Sequence, residues 1–204
     1  VLVTNNHTIG PTNCNNDTVA LDNLHRQILY STDNLSTPKV EAAKGEIARR
    51  NPEVIVETHQ SLLNRSNARQ RLKKCDIVLD ATDNFPVRLV IADTCHELKV
   101  PYVHAGVQRF HGQAITVIPG ETTCYRCIFP HAPPAKAVPS CAETGILGPV
   151  AGFFSTVQAT EALKYLTGTS GLLTDRLLTA DLLNWKVRII PKKRQPHCPL
   201  CGKP

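Results

Sequence analysis

The most specific chemical pattern in the chain is two pairs of cysteines, each with two residues between its members. The pairs are Cys124 with Cys127 and Cys198 with Cys201. In this spacing four thiolates converge tetrahedrally on Zn²⁺, and the long interval between the pairs means that the metal would attach the C-terminal tail to the middle of the chain. A thioredoxin-like redox pair and incidental thiols are the alternatives. Reduced thiols also favour a cytosolic setting.

Basic and amide side chains in the first part of the chain could bind phosphate. Lys39 lies in the first turn of a predicted helix, where a cation opposes the helix macrodipole and where phosphates bind. The alternative is a surface lysine whose ammonium group lies in water. Asn23, Arg26 and Gln27 cluster in one short segment. Arginine offers a planar fork to phosphate oxygens, although an arginine in a loop is usually solvated.

Two aspartates flank the end of a short apolar run, Ile77–Leu79. Such a run predicts a strand buried on both faces of a sheet, and ligands of open α/β sheets bind outside the carboxyl ends of the strands. A carboxylate of Asp80 or Asp83 could hold Mg²⁺ there while substrate phosphates complete its ligand shell. The alternative for Asp83 is that it caps the helix that follows.

Strands and helices alternate along the part of the chain that must position these residues. Alternation first and adjacent strands later predict an α/β fold, a mixed sheet covered by helices. The expected strands are at 54–56, 77–79, 101–103, 112–118, 177–182 and 185–190, and the expected helices are at 38–50, 65–74, 87–98 and 150–166.

The first sixteen residues depart from this pattern. Val1–Val3 is typical of a buried strand, but residues 4–16 include five asparagines and hardly any apolar side chain. Such a composition predicts a loop. The chain also contains no methionine, which indicates that Val1 is not the natural first residue.

Composition excludes several classes of protein. The chain has 204 residues, of which 42% are hydrophobic and 20% charged, as expected for one globular domain spanning residues 1–204. No apolar run approaches the roughly 18 residues of a membrane span, and no secretory signal is evident. The net charge of +6 suits phosphate-bearing ligands. Without a stripe of lysine and arginine, we expect neither a nucleic-acid partner nor a zinc-dependent nucleic-acid binder.

Seven segments, in order along almost the whole chain, closely resemble the ThiF/MoeB/HesA proteins, which are bacterial relatives of ubiquitin-activating enzymes. The segments are Asp17–Gln27, Pro38–Glu41, Asp80–Asn84, Cys124–Cys127, Cys141–Gly145, Gln158–Lys164 and Cys198–Cys201. The resemblance implies a Rossmann-like mixed sheet. It also implies that ATP and Mg²⁺ are used to adenylate the C-terminal Gly-Gly carboxylate of a ubiquitin-like sulfur-carrier protein, in thiamin or molybdopterin-type sulfur transfer. A cytoplasmic homodimer that works with a sulfurtransferase is expected on the same ground.

The resemblance also assigns roles to single residues in the nucleotide site. Asn23, Arg26 and Lys39 would contact the triphosphate, and Gln27 would lie beside them. Asp83 would hold the magnesium ion, and Asn84 would line the nucleotide pocket.

Further roles concern the cysteines. The four paired cysteines match the structural zinc site of the family. Cys141 matches the position that, in some members, attacks the acyl adenylate or enters sulfur transfer, so we count it with Arg26, Lys39 and Asp83 as a candidate catalytic residue. The alternative for Cys141 is a small buried hydrophobic residue.

The chain departs from the family pattern before Asp17. After its first strand the family has a glycine-rich G-x-G-x-x-G loop, a helix, and a second strand that ends in an acid gripping the ribose. Here residues 4–16 occupy that interval, with Gly10 as the sole glycine and Asn15 at the place of the acid. The glycine-rich region is therefore expected to be missing or replaced. The alternative function is that of a degenerate member, a zinc-stapled module that binds the carrier without adenylating it.

Overall fold

The computed structural model describes residues 2–5, 8–132 and 145–202, with side chains from residue 15 onward. Within these ranges the chain forms eight strands and five α-helices. The strands are β1 (Leu2–Asn5), β2 (Thr8–Cys14), β3 (Glu57–His59), β4 (Ile77–Asp80), β5 (Tyr102–Gln108), β6 (His111–Val117), β7 (Arg176–Asp181) and β8 (Lys186–Pro191). The helices are α1 (Lys39–Arg50), α2 (Ala68–Leu72), α3 (Phe85–Leu98), α4 (Tyr125–Ile128) and α5 (Gly148–Leu166).

All eight strands of the described residues belong to one mixed sheet, in the order β3-β2-β1-β4-β5-β6-β7-β8. The pairs β2–β3 and β4–β5 are parallel, and the other neighbours are antiparallel. The predicted α/β fold with a mixed sheet covered by helices is confirmed.

The central strands are buried on both faces, which explains their apolar sequences. Along β5, Tyr102 packs with α2, α3 and the two cysteine pairs, whereas Val103 packs against α5 on the other face. Successive side chains of a strand point to opposite faces, so a strand covered on both sides needs a continuous apolar run. One member of this run is polar, because His104 lies between Val103 and Ala105.

Strand β1 fixes the direction of its neighbours. Leu2 pairs with Asn13 of β2 and with Leu79 of β4, antiparallel in both cases. Strands β2, β4 and β5 therefore run in the same direction, and they end at one edge of the sheet. We call this edge, marked by Cys14 and Asp80, the carboxyl edge. Strand β1 ends at the opposite edge.

Two sequence predictions are wrong in this region. The loop predicted for residues 4–16 is a strand from Thr8 to Cys14, because β2 pairs with β1 on one side and with β3 on the other. Pairing on both sides outweighs the low strand propensity of its glycine, proline and asparagine. The strand predicted at 54–56 begins instead at Glu57, where pairing with Thr12 sets the register.

The contact of α5 with the sheet depends on a glycine. A Cβ atom on Gly112 of β6 would lie far inside van der Waals contact with the Phe154 ring of α5. Phe154 is itself buried among Ala105, Ala114 and Leu178. The helix can therefore lie close to β6 only because residue 112 has no side chain. No helix in the described parts of the chain is both long and apolar enough to span a membrane.

We predict that Gly112→Ala lowers the free energy of unfolding by about 1–3 kcal/mol, because the new methyl group overpacks the interface with Phe154. Gly45→Ala in α1 is the matched control, since nothing lies within 4 Å of the Cβ position. It should raise stability by about 0.5–1 kcal/mol through helix propensity. Urea unfolding measures both changes, and a Gly112→Ala protein as stable as the parent would contradict this packing.

Candidate functional site

The four paired cysteines meet at one point, although two come from the middle of the chain and two from its end. Their Sγ atoms all lie within 4.8 Å of one another. The distance from Cys124 is 3.6 Å to Cys127 and 3.5 Å to Cys198, and that from Cys127 to Cys201 is 3.3 Å. Tetrahedral zinc with Zn–S bonds of about 2.3 Å requires sulfur atoms roughly 3.8 Å apart. The donor set and its spacing therefore fit Zn²⁺.

Local backbone geometry prepares the C-terminal pair for this role. A Cβ atom on Gly202 would lie 2.6 Å from the carbonyl oxygens of Pro196 and Cys198, so the turn can close only with glycine. Burial raises the pKa of the Cys198 thiol, but hydrogen bonds from the backbone of Cys201 and Leu200, together with those of the Cys124 and Cys127 side chains, outweigh burial and lower the pKa to about 7. Backbone N–H groups that point at sulfur favour the thiolate, the form that binds metal.

The cysteine cluster is joined to the rest of the fold by the helix α4. Arg126, between the first two cysteines, forms a bidentate ion pair with Asp93 of α3. Two guanidinium nitrogens of Arg126 lie 2.7 and 2.6 Å from the two carboxylate oxygens of Asp93. Tyr125 donates its backbone N–H to the hydroxyl of Tyr102 in β5. The cluster is thus fastened both to a covering helix and to the central sheet.

Lys39 lies at the start of α1 and is almost completely buried, with 7% of its surface exposed. Its Nζ is 3.1 Å from a carboxylate oxygen of Asp17. The alternative of a lysine with its ammonium in water is therefore wrong: the side chain packs at the helix start, where Asp17 supplies the balancing charge. Helix α1 lies between β2 and its parallel neighbour β3 along the chain. The first turn of α1 is therefore at the carboxyl edge, where β2 ends.

Asn23, Arg26 and Gln27 lie on a short 3₁₀ helix, Leu21–Asn23, and the turn after it. The carbonyl of Asn23 accepts the N–H groups of both Arg26 and Gln27, at 3.1 and 3.0 Å. Asn23 is buried. Within the described residues, Oε1 of Gln27 is buried and accepts no hydrogen bond. A buried acceptor without a donor suits a ligand that brings a hydroxyl or N–H group.

The start of α5 packs against the turn that carries Arg26. A Cβ atom on Gly148 would lie 2.8 Å from the carbonyl oxygen of His25. The His25 ring nitrogen Nε2 lies 3.2 Å from the carbonyl of Ile146. Since α5 also reaches the end of β4 through Gln158, which donates to the Asp80 carbonyl at 2.9 Å, one helix contacts both parts of the candidate site.

Asp83 follows β4 at the carboxyl edge and is exposed. The cap of α3 is Asn84, whose Oδ1 accepts the N–H of Val87 at 3.0 Å. The alternative that Asp83 serves as this cap is therefore wrong. Among the described residues, the Asp83 carboxylate accepts a hydrogen bond from the side-chain amide of Asn84, at 3.3 Å. The exposed carboxylate of Asp83 fits a magnesium ligand.

Asp80 is not available in the same way, because both oxygens of its buried carboxylate are already bound. Oδ1 accepts hydrogen bonds from the N–H and the hydroxyl of Thr82, at 3.0 and 2.7 Å, and Oδ2 lies 2.8 Å from Nδ1 of His104. Burial alone would raise the pKa of Asp80, but the hydrogen bonds from His104 and Thr82 hold it below its usual value. Asp80 therefore remains ionised and restrains the loop instead of binding metal.

Sequence reasoning missed His104. Its signal was present, because a histidine inside the apolar run Tyr102–Ala105 must find a buried partner.

Cys141 lies outside the described residues, and its catalytic role stays a prediction. The roles of Asn23, Arg26, Gln27, Lys39, Asp83 and Asn84 toward a nucleotide also stay predictions.

We predict that the purified protein contains about one zinc per chain. Cys198→Ser should lose the metal and unfold at a lower temperature, because the tail would no longer be attached to α4. Cys75→Ser is the control, since this partly buried thiol lies outside the cluster. Elemental analysis and thermal unfolding measure both effects. A metal-free protein whose stability is unchanged by a chelator would refute the site.

Comparison with known proteins identifies the family of the chain. The ThiF family model matches residues 14–200. The SAMP-activating enzyme E1 of Haloferax volcanii is 40% identical over 187 residues, which cover 92% of this chain and 69% of that protein. The sulfur carrier protein adenylyltransferase of Thermus thermophilus is 40% identical over 191 residues, covering 91% of this chain and 70% of that protein.

A longer relative and a solved structure extend the comparison. The adenylyltransferase and sulfurtransferase MOCS3 of Drosophila sechellia is 37% identical, and the match covers 91% of this chain but 41% of that protein. A crystal structure of E. coli MccB with ATP superposes with a TM-score of 0.81 at 22% identity, covering 94% of this chain and 59% of that one. This likeness bears on the fold alone. The chain belongs to the ThiF family and is an adenylyltransferase of the type that the names of its relatives describe.

Proposed function

We propose that the chain uses ATP and Mg²⁺ to adenylate the C-terminal Gly-Gly carboxylate of a ubiquitin-like sulfur-carrier protein. The observation that carries the proposal is Lys39. A nearly buried ammonium at a helix N-terminus is unfavourable both for its desolvation and for its opposition to the macrodipole. Asp17 balances this charge from a largely exposed position, so an anionic ligand at the carboxyl edge would stabilise the ammonium further, and a triphosphate is the ligand that the relatives' names suggest.

The proposed reaction needs positioning and charge more than proton transfer. The carrier carboxylate attacks the α-phosphorus of ATP, a bond forms between the carboxylate oxygen and phosphorus, and pyrophosphate leaves. Because the nucleophile is already ionised, no strong base is required. Arg26 and Lys39 neutralise charge on the triphosphate as it develops. Mg²⁺, when bound through Asp83, would supply further positive charge at the leaving pyrophosphate.

Binding of the triphosphate would depend mainly on side chains. In the described residues, Asp83 lies at the carboxyl edge, whereas β1 ends at the other edge of the sheet. Only residues 6 and 7 separate β1 from β2. A glycine-rich turn and helix N-terminus after β1, which would present backbone amides to phosphate, have no room there. Arg26 and Lys39 thus carry a larger share of phosphate binding than they would beside such a turn. If they are insufficient, the chain is the carrier-binding module without adenylation.

The finer parts of the proposal rest on family likeness. We propose that the carrier serves thiamin or molybdopterin-type sulfur transfer, that the chain acts as a cytoplasmic homodimer, and that a sulfurtransferase works with it. We also propose that Cys141 attacks the acyl adenylate, so that a thioester forms and AMP leaves. The combination of adenylyltransferase and sulfurtransferase in the name of the Drosophila relative supports the sulfurtransferase partner.

The proposal predicts that Lys39→Ala lowers carrier-dependent ATP–pyrophosphate exchange by about a hundredfold, because a buried cation beside the phosphates is lost. Lys44→Ala is the matched control, since Lys44 lies on the same helix but is exposed. It should leave the exchange rate unchanged. Equal effects of the two substitutions would contradict the role given to Lys39, and exchange by the parent chain without any carrier would contradict the carrier carboxylate as the nucleophile.

For Asp83→Asn we expect a higher Mg²⁺ concentration at half-maximal exchange, by about tenfold or more, because a neutral amide is a poor ligand for a hard cation. Asp33→Asn, at another exposed aspartate, serves as the control and should leave the Mg²⁺ titration unchanged. Thermal unfolding should be alike for both variants, since Asn84 and not Asp83 caps α3. An Asp83→Asn protein with the parental Mg²⁺ titration would exclude this carboxylate as the metal ligand.

A further inference from the structure

The loop that carries Asp83 is held from beneath by a buried pair, Asp80 and His104. The His104 ring is completely buried, and its Nδ1 lies 2.8 Å from Oδ2 of Asp80. The other oxygen of Asp80 accepts both the N–H and the hydroxyl of Thr82. One carboxylate therefore links a side chain of β5 to the residue directly before Asp83.

Other contacts hold the residue before this loop and a residue within it. Gln158 donates to the carbonyl oxygens of both Asp80 and Val103, at 2.9 Å each, so it links the end of β4 to the start of β5. Arg88 donates twice to the carbonyl of Thr82, at 3.1 and 2.7 Å. Thr82 is thus held directly by Asp80 and by Arg88, while His104 and Gln158 hold Asp80 through buried hydrogen bonds.

The orientation of the His104 ring is set in turn by the cysteine cluster. Tyr125, which lies between Cys124 and Cys127, meets the ring edge-on with the centroids 4.7 Å apart and an interplanar angle of 66°. The backbone N–H of Tyr125 is itself fixed on the hydroxyl of Tyr102. A continuous series of packed groups therefore runs from the zinc ligands to the loop at Asp83.

We propose that His104 is a positioning residue for the magnesium site, and that it acts by holding Asp80, and through it Thr82 and the adjacent Asp83, in place. The inference rests on the proposed function in one respect, the role of Asp83 as the magnesium ligand. Partners behind a metal ligand typically change metal affinity by about 10–100-fold when they are removed. The cost of burying a histidine in an apolar strand is explained by this restraint.

The two nitrogens of His104 allow a sharp test. Nδ1 donates to Asp80, whereas Nε2 makes no hydrogen bond within the described residues. Asparagine places an N–H donor near the position of Nδ1 and lacks Nε2. His104→Asn should therefore keep the restraint on Thr82, and His104→Leu, which fills the space without a donor, should lose it.

Thr116→Val is the matched control for losing one donor to a buried carboxylate. Thr116 lies on the neighbouring strand β6, and its hydroxyl donates to Glu161, which also accepts from Leu173 and Lys164. This change should weaken the fold without loosening the loop at Asp83.

The experiment combines hydrogen exchange at the Thr82 amide with the Mg²⁺ dependence of ATP–pyrophosphate exchange, in the zinc-loaded full chain. We expect His104→Leu to speed exchange of the Thr82 amide at least tenfold and to raise the half-maximal Mg²⁺ concentration about tenfold. His104→Asn and Thr116→Val should match the parent in both measurements.

Either of two results would overturn the inference: a Thr82 amide as protected in His104→Leu as in the parent, or a loosened amide with an unchanged Mg²⁺ titration. If the leucine variant does not fold, His104→Asn decides, and a raised Mg²⁺ requirement in that variant would refute the role of Nδ1. Failure of the proposed function would show differently, as absence of carrier-dependent exchange in the parent chain. In that case the Thr82 amide still tests whether His104 holds the loop.

Discussion

The carboxylate of Asp80 is the constraint on which the candidate site depends. It lies buried at the end of β4, and its two oxygens bind residues that belong to different elements, Thr82 in the following loop and His104 in β5. A buried carboxylate is tolerated only when hydrogen bonds replace the water that it has lost. Folding the sheet therefore requires the loop to adopt one shape. That shape leaves Asp83 exposed and free to bind a ligand.

The cysteine cluster explains how a chain of this size can hold such a site rigidly. The cysteines at the start of α4 and within it, and those of the turn after β8, lie close enough to hold one zinc ion, which would attach the end of the chain beneath the centre of the sheet. Through Tyr125 and Arg126 the cluster also contacts β5, which holds Asp80 through His104, and α3, which follows the loop. The candidate zinc site and the candidate nucleotide site are separate in sequence, but one short helix connects them in the fold.

Sequence patterns predicted the fold class, the cysteine cluster and most helices and strands, because each depends on spacing or on apolar periodicity. They failed where pairing partners decide the structure: β2 is a strand although its asparagines, glycine and proline predict a loop, and only the neighbouring strands explain it. They also could not decide between alternatives for Lys39 and Asp83. The choice depended on whether Asp17 lies close to Lys39 and on whether Asn84 is the cap of α3. Neither contact can be predicted from the sequence.

Because β1 is antiparallel to its neighbours, side chains must supply the phosphate contacts that a glycine-rich turn would otherwise give. Whether the chain adenylates its carrier or only binds it therefore depends on how tightly these side chains bind ATP. The most direct test of the central claim is mass spectrometry of a ubiquitin-like sulfur carrier after incubation with the zinc-loaded chain and MgATP. We predict a carrier that has gained one adenylyl group, and no such product from a carrier that lacks its C-terminal glycine. A carrier that binds the chain tightly, yet stays unmodified while no pyrophosphate is released, would contradict the proposed adenylation.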